Sequence, residues 1–218
     1  MEKGWIKPFY QCILRTRTEK VTILEALARW IDPSHGMISP GEFIPVLSRY
    51  HLLHKLDLFM ADQVCREFSV RAEAGLPLIP VTVNFSAQDF DYVNVAEKLN
   101  EILERHGVSR NSIIVEITEQ DIATGTEHFR NQLKDIRESG YKLWIDDFGS
   151  GYSSLNVFSQ YDIDRIKFDM ELLRHLDDNN GANRRIMRAL VSVCREMGVH
   201  TLVSASKPEN AAITGQFA

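Results

Sequence analysis

The sequence predicts an α/β fold of the TIM-like (β/α) barrel type, and three observations lead to this prediction. Short apolar runs alternate along the chain with amphipathic helical patterns, which is typical of a mostly parallel sheet. Most of the helical patterns stop at a glycine. The apolar runs end in polar residues, which fits a closed barrel better than a doubly wound sheet because strand ends line the mouth of a barrel.

Seven runs have the length and composition of strands, and the six from residue 21 onward fit the barrel. They cover residues 9–14, 21–29, 80–85, 113–118, 142–147, 165–169 and 201–204. Amphipathic helices are predicted at 56–74, 95–106, 127–139 and 184–197. An earlier helix begins after Ser39, which forms a capping box with Glu42 and precedes Pro40 in the first turn. With no internal repeat or linker, residues 1–218 are predicted to form one domain.

The overall composition excludes several classes of protein. With a net charge of −5 over 218 residues, the chain is not expected to bind DNA or RNA polymers. No run approaches the roughly 18 apolar residues of a membrane span, so no membrane contact is expected from this segment. The first residues lack the apolar h-region of a signal peptide, so none is expected, and three cysteines without metal-ligand spacing suit free thiols. We therefore expect a reducing, cytoplasmic location.

Alternation of side chains between the two faces of a strand places polar groups near the C-terminal ends of five strands. These groups are Glu25, Asn84, Glu116, Asp146 with Asp147, and Lys167 with Asp169. A cluster of carboxylates would repel itself unless a cation bound among them, and oxygen ligands suit Mg²⁺ or Mn²⁺. The adjacent Asp146 and Asp147 would let one carboxylate bridge two metal ions about 4 Å apart. Lys167 could hold or deprotonate a water molecule.

Each of these features has a more ordinary interpretation when it is taken alone. An Asp-Asp pair at the start of a loop is usually turn chemistry, and a single Glu or Lys on a strand is usually a solvated charge. The segment "GSGYSS" resembles any flexible loop and is not a phosphate-binding motif of the Walker type. The metal-site hypothesis therefore depends on five strands ending in the same way.

Together, these motifs resemble the EAL-domain family, the bacterial cyclic-di-GMP phosphodiesterases. They read "FYQCI" with Gln11, "EALAR" with Glu25, Leu27 and Arg29, "SPGEFIPV", "VNFSA" with Asn84, "EITE" with Glu116 and Glu119, "DDFGSGYSSL" with Asp146 and Asp147, and "IKFD" with Lys167 and Asp169. Their order and spacing over residues 9–169 are those of the family. The resemblance implies a TIM-like barrel whose first strand runs antiparallel to the others.

The resemblance also implies roles. Glu25, Asn84, Glu116 and Asp146 would bind one metal ion, and Asp146 and Asp147 would serve a second. Lys167 would act with Glu25 in catalysis by orienting or activating the attacking water, and Glu119 would support the loop at 147–155. Gln11, Leu27, Arg29 and Asp169 would contact the substrate. The implied reaction is hydrolysis of one phosphodiester bond of cyclic di-GMP to linear pGpG with Mg²⁺ or Mn²⁺.

The main departure from the family lies at the C-terminal end. Cys12, Phe85 and Ser150 are small differences that remove no metal ligand. Beyond Val203 the resemblance stops: Ser204 stands at the position of a metal-site Glu, and Lys207 at that of a second Glu. The family's last strand and helix are missing, so an incomplete barrel with open edges is expected unless residues 210–217 substitute as a weak strand. Losing a carboxylate should weaken metal binding by more than about tenfold.

Two other functions stay open at this point. The chain could be a catalytically impaired domain that binds cyclic di-GMP or a protein partner, or a truncated product without activity. Retention of the acidic residues and of Lys167 favours the enzyme. The resemblance further implies a homodimer formed near the loop after the fifth strand, and a place within a larger sensory protein.

Overall fold

One curled sheet organises the part of the chain that the computed structural model describes, namely residues 1, 3–15, 18, 20–149, 157–169 and 178–203. Its strands are β1 (Ile6–Arg15), β2 (Lys20–Asp32), β3 (Gly36–Ile38), β4 (Val81–Asn84), β5 (Ile113–Thr118), β6 (Lys142–Phe148), β7 (Arg165–Phe168) and β8 (His200–Val203). The order across the sheet is β1-β2-β4-β5-β6-β7-β8, and β3 pairs with the end of β2. β1 is antiparallel to β2, and the strands from β2 through β4 to β8 are parallel. The predicted TIM-like fold with an antiparallel first strand is confirmed.

The helices lie between the strands along the chain, and the long ones follow the predicted pattern. They are α1 (Pro40–Arg49), α2 (Leu53–Glu73), α3 (Ala87–Tyr92), α4 (Val95–His106), α5 (Glu119–Thr124), α6 (Glu127–Glu138), α7 (Val157–Gln160) and α8 (Asp178–Glu196). The predicted capping box begins α1: the Ser39 N–H donates to Glu42 Oε2 at 2.9 Å. The prediction missed β3 and the one-turn or two-turn helices α3, α5 and α7. None of the helices in the described ranges has the length and apolar character needed to cross a bilayer.

A small apolar layer inside the curl shows how strongly the sheet is curved. Ile13, Ile23, Ile114 and Trp144 form one buried cluster, with Leu202 packed against it. Since these residues come from β1, β2, β5, β6 and β8, strands far apart in the sheet order must face one another. The larger core lies between the outer face of the sheet and the helices, and it includes Leu56, Leu99 and Ile136.

The barrel is partial, as predicted. Among the described residues, β1 and β8 each pair with a neighbour on one side only. On β1, Phe9 and Leu14 are 42% and 51% exposed. Several predicted features lie outside the described residues: Ser150 with the rest of its loop, Ser204, Lys207 and the possible substitute strand at 210–217.

Candidate functional site

The curl of the sheet brings three carboxylates and one ammonium group together in its interior. Lys167 Nζ donates hydrogen bonds to Glu25 Oε2 at 2.9 Å, to Asp146 Oδ2 at 3.0 Å and to Glu116 Oε1 at 3.3 Å. One oxygen from each carboxylate lies within 4.8 Å of the other two. Four strands, β2, β5, β6 and β7, therefore converge on a single cluster, which we call the carboxylate cluster.

Strand periodicity explains why these side chains meet. Each acidic residue stands two positions after a member of the inward apolar layer: Glu25 after Ile23, Glu116 after Ile114 and Asp146 after Trp144. Because residues two apart share a face, the carboxylates form the next layer toward the C-terminal ends of the strands. That layer is largely closed to water, since Glu116 is fully buried and Glu25 and Lys167 are 7% and 6% exposed.

The carboxylate cluster carries more negative than positive charge. Desolvation raises the pKa of Glu116 to about 7; Asp146 and Glu25 act in the same direction, and Lys167 opposes them. Desolvation alone would lower the pKa of Lys167, but the three carboxylates outweigh it and hold that pKa above its ordinary value. Lys167 is therefore protonated, and its single positive charge only partly offsets the negative charge of the three carboxylates.

Asn84 and Asp147 lie beside the cluster rather than in it. Asn84 is the last residue of β4 and pairs in register with Glu116. Asp147 is exposed and has a left-handed backbone with φ of 53°, and its N–H donates to Asp146 Oδ1 at 2.7 Å. Desolvation, followed by the charges of Asp146 and Asp169, raises the pKa of Asp147 to about 6. Asp147 therefore lies at the outer side of the carboxylate cluster and interacts electrostatically with it.

Two contacts hold the end of β6, which carries both aspartates. Glu119 is buried at the start of α5, and its Oε2 accepts a hydrogen bond from the Gly149 N–H at 3.1 Å. The Asp169 N–H donates to the Phe148 carbonyl oxygen at 3.0 Å. Gly149 has φ of 97°, a conformation that side chains other than glycine rarely adopt. Glu119 therefore contacts the described part of the loop at 147–155, and its loop-supporting role remains a prediction.

The residues predicted to touch substrate lie on the inward face of the β1–β2 pair or next to β7. In the antiparallel register Gln11 is opposite Glu25, and Leu27 and Arg29 follow at the next two inward positions of β2. Gln11 is exposed, and Leu27 and Arg29 are half-buried. These three residues form a line that leads from the carboxylate cluster toward the rim of the barrel.

The sequence interpretation missed Thr82. This buried residue lies on the same face of β4 as Asn84, two positions earlier, and it pairs in register with Glu25 of β2. Strand alternation was the signal that could have found it, because Thr82 precedes a predicted site residue by two positions.

The donor set fits a divalent cation. Three convergent carboxylates, a nearby amide and no sulfur or imidazole ligand in the described cluster are typical of a site for a hard cation such as Mg²⁺ or Mn²⁺. A purely structural ion pair would need only one carboxylate to balance the single ammonium group of Lys167, whereas this cluster has three. The excess of negative charge is what a cation would neutralise.

Comparison with known proteins is consistent with a site for a divalent cation. The family model of the EAL domain matches residues 1–205. The probable cyclic di-GMP phosphodiesterase PdeI of Escherichia coli is 29% identical over 215 residues, which are 97% of this chain and 27% of PdeI. The chain spans about a quarter to a third of the length of the curated relatives it matches.

Two solved structures share the fold over the whole chain. The PaMucR phosphodiesterase in complex with c-di-GMP has a TM-score of 0.87 at 24% identity, and the match covers 100% of this chain and 88% of that one. Klebsiella pneumoniae BlrP1 in a complex with manganese and cyclic di-GMP has a TM-score of 0.80 at 25% identity, with 100% of this chain and 53% of BlrP1 covered.

Proposed function

The chain belongs to the EAL domain family, and we propose that it hydrolyses one phosphodiester bond of cyclic di-GMP to give linear pGpG, with Mg²⁺ or Mn²⁺ as cofactor. The observation that carries this proposal is the buried cluster of Glu25, Glu116 and Asp146 around Lys167. Its excess negative charge suits cations that must approach a phosphodiester. The names of PdeI and of the BlrP1 complex with manganese support the same substrate and a divalent metal.

The proposed division of labour follows the positions of the side chains. Glu25, Glu116, Asp146 and Asn84 would hold one cation, and Asp146 with the outer Asp147 would hold a second. When bound, such cations supply Lewis acidity for the oxygens of the scissile phosphate. Gln11, Leu27, Arg29 and Asp169 would orient the nucleotide.

Lys167 is the residue proposed to handle the attacking water. Its pKa is raised because three carboxylates surround it, while desolvation acts in the other direction. With those carboxylates neutralised, the desolvation remains and favours the neutral amine, which can take a proton from water. The water oxygen then attacks phosphorus, and the bond from phosphorus to the 3′ oxygen breaks. That oxygen takes a proton from solvent and leaves as a 3′ hydroxyl, while Lys167 returns its proton to solvent.

A second candidate function is binding of cyclic di-GMP without hydrolysis. The observation behind it is that Lys167 already hydrogen-bonds to all three carboxylates, so a cation must compete with an ammonium held at 2.9–3.3 Å. Ser204, at the position of a family carboxylate, would make that competition harder. In this case the nucleotide would bind through Gln11, Leu27 and Arg29, and no product would form.

Product formation separates the two candidates. The purified chain is incubated with cyclic di-GMP in excess Mn²⁺ or in EDTA, and pGpG is measured over time, with Glu25→Ala as the control variant. Hydrolysis predicts pGpG from the wild-type chain in Mn²⁺ alone and none from the variant. Calorimetric binding of cyclic di-GMP in Ca²⁺ by a folded chain that forms no pGpG would support the second candidate instead.

The accompanying domains, the oligomeric state and the cellular location of this chain are predictions. The relatives are three to four times as long as the aligned segment, and we propose that sensory domains accompany this domain in a larger protein. The homodimer, the single-domain extent of residues 1–218 and the cytoplasmic location remain predictions.

A further inference from the structure

The antiparallel register of β1 and β2 sorts the inward side chains into four layers. From the base of the barrel upward, the pairs are Ile13 with Ile23, Gln11 with Glu25, Phe9 with Leu27, and Lys7 with Arg29. The lowest pair is part of the inward apolar cluster, and the second contains a member of the carboxylate cluster. Phe9 and Lys7 therefore continue the line of the site beyond Gln11, on a strand to which the sequence motifs assign no other substrate contact.

The two upper layers lie farther from the carboxylate cluster than the length of a single phosphodiester group. Consecutive inward positions on a strand are about 7 Å apart, so the Lys7–Arg29 pair lies about 14 Å along the strands from the Gln11–Glu25 pair. A cyclic dinucleotide carries a second base and a second phosphate away from the bond being cleaved. Those are the groups that would reach the upper layers.

Phe9 offers an aromatic face at the correct place for a base. Its side chain is 42% exposed although it lies on the inward face of the sheet and opposite the half-buried Leu27. A large aromatic ring gains little from such exposure in the free protein. Base stacking on an exposed aromatic ring contributes about 1–3 kcal/mol per base, whatever the base.

Lys7 supplies positive charge one layer higher. It is exposed, it forms no ion pair with any residue in the described ranges, and it lies directly opposite Arg29. Like charges on opposed residues of antiparallel strands are unfavourable, and an anion between them removes the repulsion. Repulsion alone does not mark a site, because Arg15 and Lys20 form a similar pair at the other end of the hairpin. Lys7 differs because it lies on the rim above the carboxylate cluster.

We propose that Phe9 and Lys7 form a subsite for the nucleotide unit of cyclic di-GMP that is not being cleaved, with Phe9 stacking on its base and Lys7 with Arg29 facing its phosphate. The inference rests on the proposed function for the identity of the ligand. It adds two residues to the substrate site and explains why an edge strand keeps an exposed ring and an unpaired ammonium on its inward face.

The test compares binding and turnover of the full chain with its variants. Dissociation constants for cyclic di-GMP are measured by calorimetry in Ca²⁺ at several salt concentrations. We expect Lys7→Gln to weaken binding about fivefold to tenfold and to reduce the slope of log affinity against log salt by about one. We expect Phe9→Leu to weaken binding about tenfold. Neither change should alter the KM for bis(p-nitrophenyl) phosphate, which has one phosphodiester and no second nucleotide.

Matched controls separate this subsite from general effects. Lys20→Gln removes the same charge from a similar cross-strand pair, and Tyr50→Leu removes an exposed ring outside the barrel; both should bind like the wild-type chain. Unchanged affinity in both Lys7→Gln and Phe9→Leu would overturn the subsite, as would an equal rise in KM for the small substrate. A wild-type chain that binds cyclic di-GMP but forms no pGpG would refute hydrolysis and leave the subsite to be decided by its variants. A wild-type chain without binding would refute both.

Discussion

Lys167 Nζ lies 2.9 Å from Glu25 Oε2, although the two residues are 142 positions apart and the strands that carry them are separated by three others in the sheet. The contact exists because the sheet curls until β7 faces β2. The ammonium lies among the carboxylates to which we assign the cations. Lys167 therefore stabilises the metal-free site and must give up hydrogen bonds when a cation binds.

Replacing Lys167 should show how much the metal-free site depends on the positive charge of its ammonium group. Lys167→Met leaves three buried carboxylates without a counter-charge, so we expect the free energy of unfolding in EDTA to fall by about 3–5 kcal/mol at pH 8. Mn²⁺ should then raise the melting temperature more in the variant than in the wild-type chain, because the cation replaces the missing charge. Thermal unfolding followed by circular dichroism in EDTA and in Mn²⁺ measures both effects.

The control for that experiment is Lys134→Met. Lys134 pairs with Glu138 at 3.5 Å on the surface, with exposed fractions of 74% and 64%, so its loss should change stability by less than about 0.5 kcal/mol. A Mn²⁺ effect of the same size in Lys167→Met and in the wild-type chain would contradict the account.

A second acidic pair, away from the metal site, predicts a pH dependence of stability. Asp57 on α2 lies close to the fully buried Asp89 on α3; desolvation first, and then the nearby Asp89 carboxyl, raises the pKa of Asp57 well above its ordinary range. Desolvation also raises the pKa of Asp89 to about 6. Since the folded state holds these protons more tightly, their stabilising contribution is complete below about pH 4 and declines as the pH rises through 6.

Asp57→Asn should remove much of this dependence. The amide keeps a donor toward Asp89 without a proton to lose, so we expect it to raise the free energy of unfolding at pH 7.5 by on the order of 1–3 kcal/mol. Urea unfolding between pH 4 and 7.5 measures the slope, and Asp91→Asn, at an exposed position of α3, is the control. A slope as steep in Asp57→Asn as in the wild-type chain would show that other groups cause it.

Glu119 should matter for metal binding without touching the metal. Its Oε2 accepts from the Gly149 N–H and so fixes the backbone just after Asp146 and Asp147. We expect Glu119→Ala to weaken Mn²⁺ affinity about tenfold to a hundredfold, and Glu119→Gln, which keeps an acceptor, to weaken it less. Titration with Mn²⁺ measures the affinity, with the exposed neighbour changed in Gln120→Ala as control. Equal losses in the alanine and glutamine variants would argue against the hydrogen bond as the cause.

Ser204→Glu should increase metal affinity. β8 ends at Val203, and the next position carries a carboxylate in the family that this chain resembles. Adding that carboxylate should tighten Mn²⁺ binding by about tenfold or more and raise the rate of pGpG formation at low Mn²⁺. Unchanged affinity in a folded variant would show that residue 204 does not reach the metal site.

The positions of the central strands and of their acidic residues could be predicted from the sequence because they depend on local patterns. The apolar run at 113–118 became β5 with the same bounds, and Glu116 faces inward as alternation requires. The helix predicted at 95–106 also has those bounds, since Gly107 ends it with φ of 64°. These features follow from periodicity and from one glycine, so no knowledge of distant contacts was needed.

Other features depend on contacts that a sequence pattern does not contain. β3 has three residues and forms because Gly36 to Ile38 can pair with the long end of β2. The left-handed backbone of Asp147 turns its carboxylate away from the alternation expected of a strand. The contact of Lys167 with three carboxylates requires the curl of the whole sheet, which only the packed barrel provides.

The most direct test of the central claim is Mn²⁺ binding to the carboxylate cluster, measured by electron paramagnetic resonance of free and bound Mn²⁺ in the wild-type chain and in Glu116→Gln. Glutamine keeps the size of the buried side chain and removes its charge, so folding should be retained. We expect saturable Mn²⁺ binding in the wild-type chain that weakens at least about a hundredfold in the variant. Equal binding in both proteins would show that the cations bind elsewhere and would contradict the proposed site.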